Sequence, residues 1–147
     1  MTRARDMRFI LILNIGYRLP VFVYCAVIFV QSSSSVGPGM DISVPGFDKI
    51  LHFAGYAVLG VLSFRWLQQE RLSFKLFKVA GLAALFCLLY GISDEIHQSF
   101  VAQRSCEVLD LLADAAGGAA GAFAYPAVVK AWRKRSKAAG RIQEDTR

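Results

Sequence analysis

Three short stretches of this 147-residue chain carry side chains able to do chemistry, spaced by about four, as one face of a helix requires. The first stacks Asp48, His52, Tyr56 and Gly60, with Lys49 beside Asp48. The second, YGISDEIHQ, aligns Tyr90, Asp94 and then His97 or Gln98, with Glu95 alongside. After Arg104 the third opens with Asp110 and Asp114 and continues through Gly117, Gly118 and Gly121, small residues that let helices approach closely. Carboxylates with imidazoles suit general acid–base work or a divalent ion. A guanidinium and an ammonium suit a phosphate or carboxylate ligand.

The segments that hold these residues are strongly apolar. The chain is 55% hydrophobic and 19% charged, against roughly 45–50% apolar residues in an ordinary soluble domain. A mean hydropathy of +0.42 argues against disorder, a coiled coil, a disulfide scaffold or a nucleic-acid module. Four runs approach the roughly 20 residues a bilayer-spanning helix needs. They cover residues 19–31, extendable into the Ser32–Ser35 tract, 50–67, 74–93 and 109–129, and Pro20 is expected close to the start of the first, where its missing N–H costs little. Residues 9–17 are also apolar; with Arg18 following, they read either as an interfacial helix or as a tilted extension of that span. The fold expected is all-α, a four-helix transmembrane bundle. A soluble four-helix bundle would have nowhere to hide such long apolar helices. A cleaved signal peptide at the first span is disfavoured because QSSSSVGPG lacks a small-x-small cleavage pattern.

Charge sets the expected orientation. Fifteen of the seventeen basic residues fall on one side of a four-span arrangement, namely Arg3, Arg5, Arg8, Arg18, Arg65, Arg71, Lys75, Lys78 and the tail from Lys130 to Arg147. Lys49 and Arg104 fall on the other side, with seven of the eleven carboxylates. The positive-inside rule then puts both termini in the cytoplasm and the polar stretches at the outer face. Expected divisions are a basic cytoplasmic or interfacial segment at 1–18, a four-span domain at 19–129 and a basic cytoplasmic tail at 130–147. The net charge of +6 is thus a cytoplasmic belt able to touch anionic lipid headgroups, and no nucleic acid is needed to explain it. Cys25, Cys87 and Cys106 have no paired or metal-type spacing.

The segments FDKILHFAGYAVLG, YGISDEIHQSFVAQR and DLLADAAGGAAG, in this order, resemble the VanZ-like family of bacterial membrane proteins, named for a protein associated with teicoplanin resistance. The resemblance covers roughly residues 28–125. It implies a multi-pass protein of the bacterial inner membrane. Carried over position by position, it marks Asp48, Lys49, His52, Tyr56, Asp94, Glu95, His97, Gln98, Arg104 and Asp110. Asp114 departs from the asparagine common there, so it is expected to pair with Arg104 or Lys49 or to be neutral at pH 7. The loop QSSSSVGPGMDISVPG is also unlike the family's shorter segment, and no chemistry is expected of it.

The polar residues admit three roles. One is a purely structural network locking the helices. The second is a ligand site of Asp48, Lys49, His52, Tyr56, Gln98, Arg104, Asp110 and Asp114 for an anionic lipid-linked intermediate or wall precursor, with glycopeptide resistance as the associated biology. The third is an enzyme, a hydrolase or transferase with Asp94, Glu95 and His97 as catalytic groups. A divalent metal is conceivable there, with His52, His97, Asp94 and Glu95 as candidate ligands. The run DEIHQ lacks the two-histidine zinc-protease spacing, and no serine or cysteine sits in a nucleophile motif.

Overall fold

The structure, a computed structural model, describes residues 2–34, 46–70, 73–102, 104 and 106–145. Asp41, Arg71, Arg147 and the connection at 35–45 lie outside the described residues. The chain forms four helices, α1 (Thr2–Ser32), α2 (Phe47–Gln69), α3 (Leu76–Gln98) and α4 (Val108–Asp145), with no strand among the described residues. Each contains a stretch long and apolar enough to cross a membrane: Ile15–Ser32, Phe47–Gln69, Leu76–Gln98 and Val108–Ser136.

Of the two readings open for residues 9–17, the extension of the first span is the one seen, because α1 runs unbroken from Thr2. Pro20 therefore lies inside the helix and not in its first turn, which leaves the Gly16 carbonyl without its helical donor. Helix α4 likewise continues past Val129 and through Pro126, carrying the basic tail as far as Asp145. At the head of α2, Gly46 adopts φ 82°, a left-handed conformation that suits glycine, and its carbonyl receives the first helical bond from Ile50 at 3.3 Å.

The distribution of side chains is the reverse of a soluble bundle. Asp94, Glu95, Gln98, Asp110 and Asp114 are buried, whereas Phe22, Leu89, Val30 (65% exposed) and Phe77 (75% exposed) face outward. Water would penalise such a surface, and lipid would not. Between these layers, Leu59, Phe64, Val79, Ala83, Cys87 and Ala122 form the apolar interior.

Glycine decides how tightly the helices pack. A Cβ on Gly117 would collide with the Phe53 carbonyl, one on Gly121 with the Ala57 carbonyl, and one on Gly60 with the Gly118 carbonyl. Helices α2 and α4 thus touch backbone to backbone, the most intimate pairing in the bundle, and the glycine spacing serves this internal contact. Helix α1 packs mainly on α2 and is the least embedded.

The two ends of the bundle are chemically distinct. The first turns of α2 and α4 meet the last turns of α1 and α3, so Lys49, Asp110, Ser32 and Asp94 share one end. At the opposite end Arg18 pairs with Glu70 at 2.7 Å, the Arg65 guanidinium lies 5.5 Å from the Tyr17 ring centroid, and Lys130 and Arg133 stand nearby.

Candidate functional site

The polar end resolves into three adjoining groups. In the first, Lys49 Nζ donates to Asp48 Oδ2 at 2.6 Å and to Glu107 Oε2 at 2.8 Å, and lies 2.8 Å from Asp110 Oδ1. Asp48 and Asp110 occupy the first turns of α2 and α4, where the positive end of the helix dipole favours a carboxylate. Lys49 therefore ties these two helix starts together and is already held by three carboxylates.

The second group lies deeper. His52 Nδ1 is 2.9 Å from Asp114 Oδ1, and Asp114 is 0% exposed. Of the two alternatives its place in the sequence leaves, pairing with Arg104 or Lys49 is not seen; Asp114 meets instead an imidazole one helical turn along from Asp48. Gly91 makes room for it, since a Cβ there would stand 3.2 Å from Asp114 Cβ and Oδ2. Glu95, 2% exposed, approaches from α3, and its Oε2 accepts the Glu107 backbone N–H at 2.9 Å. Glu95 Oε1, Asp114 Oδ2 and the Tyr56 hydroxyl are buried with no hydrogen-bond partner among the described residues.

The third group lines a partly open cleft of about 60 Å³ between α1, α2 and α3, with Arg104 at its edge. Its wall includes Ser32, His52, Tyr56, Asp94 and Gln98. Asp94 Oδ2 accepts from Ser32 Oγ at 2.7 Å and from Gln98 Nε2 at 3.2 Å, while Asp94 Oδ1 has no partner among the described residues. Among the described residues Arg104 donates only to main-chain carbonyls, those of Ser34 at 3.1 and 3.2 Å and of Gln31 at 3.5 Å. Unlike Lys49, it meets no carboxylate among the described residues.

This geometry regroups the residues marked in the sequence. Asp94, Glu95 and His97 do not converge: Asp94 and Gln98 face the cleft, Glu95 faces His52 and Asp114, and His97 turns to the flank of α1. There its ring stacks on Phe29 with centroids 4.3 Å apart, and Nε2 lies 2.9 Å from Ser33 Oγ. Among the metal candidates, His52 and Glu95 come together with Asp114, not with Asp94 and His97. Tyr90 donates to the Cys25 carbonyl at 2.6 Å and braces α3 on α1. Cys106 is exposed, and desolvation together with the neighbouring Glu95 carboxylate raises its thiol above the ordinary range.

Ser32 and Gly91 are site residues that sequence reasoning misses. No chemistry is expected of the serine tract after the first span, yet its first two members reach Asp94 and His97. The available signal is that Ser32 ends an apolar helix at the depth where α3 presents Asp94. Gly91, three residues before Asp94, gives no signal of its own, because the carboxylate it accommodates belongs to α4.

Four apolar helices enclosing ionisable side chains at one end define a multi-pass membrane bundle with an internal polar site. Residues 4–130 match the family model described as VanZ/LLP1, and the chain belongs to that family. No curated protein and no solved structure matches the chain.

Proposed function

We propose that this protein acts in the bacterial inner membrane, both termini cytoplasmic, with its polar end binding the anionic headgroup of a lipid-linked intermediate or wall precursor. The observation that carries this reading is Arg104. Among the described residues its guanidinium is met only by main-chain carbonyls, at the edge of a cleft whose wall holds buried hydrogen-bonding groups. An arginine fork in that position suits a phosphate or a carboxylate. Ser32, Gln98 and Tyr56 supply neutral polar contacts in the cleft, and Asp94 discourages an anion from entering beyond its rim. Lys49 stiffens the site from behind, through its three carboxylates, and does not compete for the ligand.

Membership of the VanZ/LLP1 family fits this reading, whose expected cellular expression is a role in cell-envelope biology with reduced sensitivity to teicoplanin. The test is thermal stabilisation of the purified protein by undecaprenyl phosphate or by a D-alanyl-D-alanine peptide. One of these ligands stabilises the wild type, and Arg104→Gln abolishes that shift while inserting normally. Stabilisation that survives the replacement contradicts the assignment.

A second reading, a membrane-embedded hydrolase or transferase, is favoured by the His52–Asp114 contact beside the same cleft. An imidazole oriented by a buried carboxylate can serve as general base, and Arg104 can steady charge developing on a phosphoryl or acyl oxygen. Turnover of the bound ligand, lost in His52→Gln while binding persists, separates catalysis from binding alone.

A further inference from the structure

Two acidic clusters lie side by side at the polar end, and among the described residues a lysine fills only one of them. Asp48, Glu107 and Asp110 bring carboxylate oxygens together around Lys49 Nζ, at 2.6 to 2.8 Å. His52, Glu95 and Asp114 bring an imidazole nitrogen and two carboxylate oxygens within 4.8 Å of one another, with no lysine or arginine among them. This second cluster is the more buried, since Glu95 and Asp114 are almost wholly enclosed. One oxygen of each, Glu95 Oε1 and Asp114 Oδ2, has no hydrogen-bond partner among the described residues. Two enclosed carboxylates with unused oxygens are costly unless a cation meets them or they take up protons.

We propose that His52, Glu95 and Asp114 hold a single divalent transition-metal ion, manganese or zinc. Ligand atoms about 2.1 Å from a common ion stand roughly 3 to 3.5 Å apart, so atoms up to 4.8 Å apart need to close by at most about 1.3 to 1.8 Å. One nitrogen with two oxygens suits a first-row transition ion better than calcium, which takes oxygen ligands. The ligands come from three helices: His52 from α2, Glu95 from α3 and Asp114 from α4. The ion thus joins three helices at a place where Gly91 has withdrawn its side chain. Of the three, His52 also borders the cleft, whose wall includes Tyr56 and Arg104. Glu107, whose backbone N–H binds Glu95 and whose side chain binds Lys49, links the metal cluster to the lysine cluster. The ion binds whether or not an anionic headgroup reaches Arg104.

The test uses the full chain in detergent, stripped with chelator and titrated with Mn²⁺ or Zn²⁺ while bound metal and thermal stability are followed. The wild type takes up a single ion and is stabilised by it, and electron spin-echo spectroscopy of the Mn²⁺ form shows coupling to an imidazole nitrogen. Glu95→Gln and Asp114→Asn weaken uptake by at least about tenfold, as loss of a metal-supporting group does. His97→Gln retains the ion, since that ring stacks on Phe29 outside the cluster. The spectroscopic readout needs no variant, so it stands even where a substitution prevents folding. Failure of the folded wild type to take up either ion, absence of the nitrogen coupling, or wild-type affinity in both carboxylate variants overturns the proposal. Lipid-headgroup stabilisation through Arg104 is read separately, so either result can fail without the other.

Discussion

Asp114 shows how one enclosed carboxylate depends on its neighbours. His52 is its only hydrogen-bonded partner among the described residues, and Gly91 faces it from α3. Groups in direct contact do not contribute additively, so a double-mutant cycle of His52→Ala and Asp114→Ala is expected to give a coupling of about 1–3 kcal/mol in detergent unfolding. Additive single and double losses would refute the contact. The two glycines of α3 make an internal comparison. A Cβ on Gly81 would meet nothing within 4 Å, so Gly81→Ala should gain about 0.5–1 kcal/mol from reduced chain entropy. Gly91→Ala presses on Asp114 instead and should lose about 1–3 kcal/mol by overpacking. Equal effects at the two positions would remove Gly91 from the site.

At the scale of helices, backbone contact between α2 and α4 holds the polar groups in register. Replacing Gly121 by Leu drives a side chain into the Ala57 carbonyl, and should separate the helices and cut folded yield in membranes, whereas Gly16→Leu, in open space, should not. The other end has its own tie. The Trp66 indole N–H, at 2.9 Å, and the Arg18 guanidinium hold the Glu70 carboxyl below its ordinary range. A depressed carboxyl contributes its contact above the pKa it has when unfolded and loses it as pH falls through the lower folded value. Trp66 emission, read in a Trp132→Phe background, should therefore titrate below about pH 4.3, and Glu70→Gln should flatten the curve. A midpoint at or above that pH contradicts the tie.

Much of this architecture is legible in the residues. The four apolar runs, the three polar faces and the glycine-rich start of α4 each follow from local spacing, and each appears in the fold. Local spacing does not reveal which face meets which. It leaves His97 and Gln98 as equal partners for Asp94, and only the position of α1 separates them, since Phe29 and Ser33 take His97 while Ser32 shares Asp94 with Gln98. Charge alone sends Asp114 to a formal cation, yet Lys49 is drawn to the helix starts and Arg104 to the end of α1, leaving His52. Pro20 looks like a helix start because the apolar run begins there, but the helix begins near Thr2.

In the whole molecule an apolar exterior surrounds a polar interior at one end. Helix α1 is the sensitive element, because it contributes Ser32 to the cleft while being the least embedded of the four. The most direct measurement is in-membrane cross-linking of Ser32→Cys with Asp94→Cys, using a short bifunctional thiol reagent in a background lacking Cys25, Cys87 and Cys106. Ser32 Oγ and Asp94 Oδ2 are 2.7 Å apart, so this pair should link efficiently, whereas Val30→Cys with Asp94→Cys should not, because Val30 faces outward. Failure of the 32–94 pair to link, or equal linking from position 30, would contradict a polar interior shared by α1 and α3.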